Sequence, residues 1–207
     1  DLFNIPNRLN TMFDTASITK VFTATAILIL IEKGLLHFDD KITRIIDLKG
    51  TTIPKDVNIY NLLNHTSGIA DDADEEAGEI YSDLFVNKPN YAIRNTCDFL
   101  SQFAYKQPIF NAGTNVRYNN CAFVLLGLAI EKITGQDYRK FVTDNIFVPS
   151  GMLNTKFCAM DEVNSNLAEG YVGNYDKNKN NIMWRKNIYS YPPIGSPDSR
   201  SEERRVG

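Results

Sequence analysis

Apolar residues crowd the segment SITKVFTATAILILIEKGLL so densely that no broad polar face is left between Val21 and Ile31. A run of this kind predicts a helix over about Ile18 to Lys33 that is buried on most sides. Ser17 stands where an N-cap would, and Gly34 where a helix stops. The run falls short of the roughly 20 residues that span a bilayer, so it reads as a core helix.

The same reading continues along the chain. HFDDKITRIIDL predicts a short turn or helix, and VNIYNLLNHTSG a helix closed by Ser67 and Gly68. The polar stretch from Ala70 to Pro89 predicts a long loop with room for one helical turn. NYAIRNTCDFLSQFA has an amphipathic helical period, FNAGTNVRYNN is rich in turn residues, and CAFVLLGLAIEKIT has the apolar density of a second buried helix, stopped by Gly135. DYRKFVTDNIF predicts a further helix ended by Pro149 and Gly151. The period then changes: AEGYVGNYD and NIMWRKNIYSY flank the polar Lys177 to Asn180 as the two arms of a hairpin would.

Composition narrows the classes. With 207 residues, 43% hydrophobic and 11% aromatic, the chain can bury a sizeable core. Its formal charge of −3 offers no basic stripe, which speaks against nucleic acid as a partner. Cys97, Cys121 and Cys158 have neither CxxC spacing nor nearby histidines, so they are expected to be small buried hydrophobes.

Chemistry enters at SITK. A serine and a lysine three apart share one helix face, and Ser17 lies at the helix end where free N–H groups and the positive dipole end favour a developing anion. The apolar helix that follows would partly desolvate the Lys20 ammonium and sharpen its field. By itself SxxK is common, and an N-cap serine beside a surface lysine is then the better explanation. RYNNCAFVLLG adds Tyr118 and Asn120, two apart in an extended stretch, so both side chains can face one cleft. A nearby lysine favours the phenolate, and Tyr118 could then take the proton of Ser17. Alone, the pair reads as a packed aromatic and a helix-capping asparagine.

Together these segments resemble the serine hydrolases of the beta-lactamase and penicillin-binding protein superfamily, in the branch of class C beta-lactamases, DD-peptidases and related esterases. The SxxK motif matches Ser17 and Lys20, and the YxN motif matches Tyr118 and Asn120. Their surroundings, DTASITKVFTATAILILIEKGLLHFDDKI, YNLLNHTSGI and GTNVRYNNCAFVLLGLAIEKITGQDYRKFVTDNIFVPSGMLNTKF, follow the family's order over roughly Asp14 to Phe157. Ser150 departs from the leucine usual in relatives, a packing detail. The resemblance implies an α+β fold of the beta-lactamase/transpeptidase type. It also implies an acyl-enzyme on Ser17, general base catalysis by Tyr118 with Lys20, and a substrate amide or acyl side chain held by Asn120. It implies no metal or cofactor, a small-molecule or peptide substrate, and a place in the cell envelope or outside the cell. The alternative within the same resemblance is a catalytically silent domain that binds peptidoglycan or a protein partner.

Other candidates fit less well. His65 in NHTSG lacks a GxSxG elbow to serve and is expected to be structural, in a helix-ending turn. The Asn64 to Thr66 sequon is too short a pattern to weigh. The acidic run Asp71 to Glu76 lacks EF-hand spacing and is expected to be a solvated loop.

Two expectations concern completeness. Relatives carry a KTG or HxG segment on a strand that supplies one oxyanion N–H, the other coming from the nucleophile, here Ser17; neither KTG nor HxG occurs in this chain. Relatives also begin with sheet strands before SxxK, whereas this chain opens on Asp1 without methionine or signal segment. An upstream region and much of the sheet are therefore expected to be missing. After PPIGSPD the chain passes into RSEERRVG, which resembles nothing in the family. The codons AGA TCG GAA GAG CGT CGT GTA GGG, the bases of a common short-read sequencing adapter, would encode it. The expected organisation is thus a partial hydrolase domain over residues 1–199 and a translated adapter over residues 200–207.

Overall fold

The two segments of greatest apolar density become the two longest helices, and they pack on each other. The computed structural model describes residues 5–79, 84, 92–158, 163–175, 182–186 and 197–200. Strand β1 (Met12–Asp14) leads through a 3₁₀ turn at Ala16–Ile18 into α1 (Thr19–Glu32). Ala26, Ile27 and Leu30 of α1 are fully buried. Gly34, at φ +68°, ends the helix: its N–H donates to the Ile31 carbonyl, and that of Leu35 reaches back to Leu30. The sequence placed the helix correctly but not its cap. Ser17 lies inside the 3₁₀ turn, and its hydroxyl makes no cap bond there.

Two short helices follow, α2 (Ile42–Ile45) and α3 (Ile59–Leu63). Asn58 caps α3 by a reciprocal box: its side chain accepts from the Asn61 N–H at 2.8 Å, and its own N–H donates to Asn61 Oδ1. After the long loop, which includes a 3₁₀ turn at Glu75–Ala77, comes α4 (Leu100–Phe103), entered through a 3₁₀ turn at Thr96–Phe99. This element is shorter than the period from Asn90 suggests. Asp98 accepts the N–H groups of both Arg94 and Asn95, and these local bonds hold the backbone just before the turn out of a helix. Asn90 and Tyr91 lie outside the described residues.

Helix α5 (Cys121–Thr134) is the hub, touching α1, α2, α3 and the Thr96–Phe99 turn. It buries Ala122, Leu125, Leu126, Ala129 and Ile130 completely. Its Glu131 accepts the Thr96 hydroxyl at 2.7 Å and the Tyr138 N–H at 3.1 Å. It thereby fixes the start of α6 (Tyr138–Val142), capped by Asp137. The segment expected to be a single helix changes pitch at Thr143–Phe147, a π turn whose wider ladder runs from the Val148 N–H to the Thr143 carbonyl. That turn buries both Ile146 and Phe147, and Phe147 meets Phe22 edge-on at 5.0 Å.

The strands among the described residues are few. Strand β2 (Lys156–Phe157) is followed by β3 (Tyr171–Tyr175) and β4 (Ile182–Lys186), which form the expected antiparallel hairpin with Gly173 opposite Trp184. Lys177 to Asn180 lie outside the described residues. Strand β5 (Pro197–Arg200) runs antiparallel between β1 and β2, pairing Met12 with Arg200 and Lys156 with Asp198. It therefore crosses the boundary expected between Ser199 and Arg200. Phe157 carries the small sheet onto the helices by packing against Tyr138 and Phe147. Cys121 and Cys158 are buried as expected, but Cys97 is exposed because the turn around it buries Thr96 and Phe99 instead.

Candidate active site

The residues leading into the two long helices carry the site. Ser17 sits on the turn before α1 and Lys20 on its first turn, while Tyr118 and Asn120 occupy the segment that enters α5. Packing of α1 on α5 brings the four together from about a hundred residues apart. Ser17 Oγ and Tyr118 Oη are hydrogen-bonded at 2.7 Å. Lys20 Nζ donates to Ser17 Oγ at 3.2 Å and to Asn120 Oδ1 at 2.8 Å. The ammonium also lies 4.7 Å from the centre of the Tyr118 ring and 5.6 Å from that of Phe123. Ser17 and Tyr118 are exposed, whereas Lys20 and Asn120 are half-buried.

Local chemistry explains how Ser17 comes to face Tyr118. Ala16 holds φ +45°, uncommon for a residue with a side chain, and its N–H is tied to Asp14 Oδ1 at 2.9 Å. Thr19 donates its hydroxyl to the Ala16 carbonyl at 2.7 Å. The turn is thus tied by neighbours of Ser17, and Ser17 Oγ bonds to Tyr118 and Lys20.

Supporting residues lie where the sequence reading saw none. Asp71, expected in a solvated loop, is buried and accepts the N–H groups of Asn120 and Cys121 at 3.0 Å each. It caps α5 from 49 residues away, and it also accepts Asn120 Nδ2 at 3.3 Å, which turns Asn120 Oδ1 toward Lys20. Asp72 is buried as well, and Lys106 Nζ donates to its carbonyl. Further along the run, Asp74 and Glu76 pair with Arg117. The run is non-periodic because its acids serve partners scattered along the chain, Asp71 the start of α5 and both Asp74 and Glu76 the Arg117 guanidinium, which left no sequence signal beyond its charge. Asp71, Asp72 and Cys121 converge within 4.8 Å. Burial, with Asp72 and Asp71 close by, pushes the Cys121 thiol well above its ordinary pKa.

His65 holds the helix-ending turn that was expected of it, at φ +62°. Its ring also packs against Tyr118 at 4.7 Å and Phe123 at 5.4 Å. Beyond it, the Gly68 carbonyl accepts the Ile109 N–H and the Thr66 carbonyl the Gly113 N–H, stitching this turn to the approach of α5.

A family model described as Beta-lactamase matches residues 3–192. The chain belongs to this family of serine acyl-hydrolases. Penicillin-binding protein 4* of Bacillus subtilis (strain 168) is 34% identical over 153 residues, which are 73% of this chain and 32% of that protein. The crystal structure of a penicillin binding protein from Bacillus halodurans is 34% identical with a TM-score of 0.87, covering 98% of this chain and 60% of that one. A D-stereospecific amidohydrolase from Streptomyces sp. is 26% identical with a TM-score of 0.74, over 93% of this chain and 58% of that one. The chain thus spans about a third of that curated relative's length. These structures establish the α+β beta-lactamase-like fold, of which the described residues form a mainly helical part.

Proposed function

We propose that this chain carries the nucleophile and base of a serine hydrolase that forms an acyl-enzyme on Ser17. One observation carries the reading: Ser17 Oγ is hydrogen-bonded at once to the phenol oxygen of Tyr118 and to the ammonium of Lys20. Tyr118, with Lys20 beside it, acts as the general base that takes the Ser17 proton as Oγ bonds to the substrate's carbonyl carbon. Collapse of the tetrahedral intermediate breaks the bond to the leaving group, which receives that proton from Tyr118. Water then hydrolyses the acyl-enzyme by the reverse proton path. Asn120, beside Lys20, receives the substrate's amide or acyl side chain.

The substrates that suit this chemistry are a beta-lactam, a D-Ala-D-Ala type peptide or an ester, in keeping with relatives named penicillin-binding protein and D-stereospecific amidohydrolase. Without a KTG or HxG segment in the chain, one of the two oxyanion donors implied by the family is not supplied by these 207 residues. Removing one such donor costs about 10²–10³ in turnover. We therefore expect Ser17 to be labelled by a fluorescent penicillin or a fluorophosphonate in the full-length protein, and labelling to vanish in Ser17→Ala. The chain by itself should give no measurable turnover of nitrocefin or p-nitrophenyl acetate. Hydrolysis by the chain that disappears in Ser17→Ala would overturn the second expectation, and a full-length protein that resists both labels would favour the silent binding domain.

A further inference from the structure

His65 touches three consecutive residues of the segment that carries Tyr118. Its carbonyl accepts the Arg117 N–H at 2.9 Å. Its ring packs on Tyr118 at 4.7 Å, tilted by 34°. Its Nδ1 accepts the Asn119 N–H at 3.1 Å. Asn119 is in turn buried, with Nδ2 donating to the Ile69 carbonyl and Oδ1 accepting the Ala122 N–H. His65 therefore holds backbone on both sides of Tyr118, by its carbonyl at Arg117 and by its half-buried imidazole at Asn119, while the ring supports the phenol itself.

We propose that neutral His65 is a positioning residue that sets the Tyr118 phenol against Ser17, and that protonation of its ring releases this hold. The inference rests on the reading of Ser17 and Tyr118 as the reacting pair, and its chemistry is simple. Only an unprotonated Nδ1 can accept the Asn119 N–H, so the neutral ring carries its proton on Nε2. Protonation puts an N–H against an N–H and a second cation near Lys20. Among the described residues, the charged and titratable groups around the ring are Lys20 from α1, Asp71 from the loop after α3, and the Tyr118 phenol. Arg117 directs its guanidinium to Asp74 and Glu76. Burial, then Lys20, lower the His65 pKa from 6.5 and outweigh the opposing pulls of Asp71 and the Asn119 backbone. The clamp is thus closed at neutral pH and opens on acidification.

Nuclear magnetic resonance of the 207-residue chain tests this without requiring turnover. His37, the other histidine, is exposed and serves as an internal reference. The His65 ring, the Asn119 amide and the Tyr118 ring signals should shift together with one midpoint below 6.5. In His65→Asn, which tolerates positive φ and can offer an acceptor near the Nδ1 position, the Asn119 and Tyr118 signals should no longer move with pH over that window. In His65→Ala the Tyr118 ring signals should lose their stacked shift at every pH. If that variant does not fold, the wild-type and His65→Asn titrations decide. Tyr118 signals that stay flat while His65 titrates, or that titrate equally in His65→Asn, would overturn the proposal. So would a neutral ring protonated on Nδ1. Intact coupled titration in a protein whose Ser17 never labels would count against the acyl-enzyme reading alone.

Discussion

At the scale of single residues, the site depends on groups that never reach a substrate. Asp71 answers two orphan N–H groups at the start of α5 and orients Asn120 with the same carboxylate. Asp71→Ala leaves those buried donors unmet, and we expect it to cost roughly 2–3 kcal/mol of stability, read as a lower urea midpoint at unchanged slope. His65 gives a pH effect whose sign is fixed. Its folded pKa lies below the unfolded value of 6.5, so the folded state binds fewer protons there. Its contribution to stability is complete above 6.5 and declines as pH falls from 6.5 through the lowered folded value. Melting temperatures should therefore drop more steeply over that window in the native chain than in His65→Asn, and parallel curves would refute the linkage.

At the scale of elements, what could be read from sequence was what local pattern encodes. The apolar stretch of α5 with its Gly135 stop and the β3–β4 hairpin follow from period and turn residues, whereas the Ser17, Lys20, Tyr118, Asn120 set was legible only through the resemblance of its two motifs and their surroundings to a known family. What escaped was made by contacts distant in sequence. Asp71 lies 49 residues from its partner and His65 54 from Asn119, and neither has a periodic neighbour to mark it. Ser17 was misread as a cap because an N-cap serine and a serine on a 3₁₀ turn look alike in sequence. The turn that carries His65 depends on Gly68: at φ +68°, a Cβ there would lie 2.0 Å from the Phe110 carbonyl oxygen. Gly34 has the same φ but open space around it. Gly34→Ala should cost about 1–2 kcal/mol, the strain of the left-handed conformation. Gly68→Ala should cost clearly more, because backbone must also move, and equal unfolding midpoints for the two variants would show the contact to be slack.

At the scale of the whole molecule, α1 carries apolar residues around most of its circumference, and among the described residues part of that apolar surface stays exposed. Ile18, Val21 and Leu28, at helical spacing, leave 44%, 61% and 49% of their surfaces exposed. A helix hydrophobic all round belongs in an interior, and an open apolar stripe on a surface favours association. The same helix places Ser17 and Lys20, so its outer face cannot be made polar near its start without touching the site. Leu28 lies two turns further on, where a charge meets solvent. We expect the chain to associate with rising concentration, seen as growing mass in light scattering. Leu28→Lys should shift that association to higher concentration while leaving the circular dichroism spectrum and melting temperature close to those of the native chain. A variant that associates as readily as the native chain would show that this stripe is not the adhesive surface, and Leu153, 78% exposed on the loop before β2, would become the next position to test.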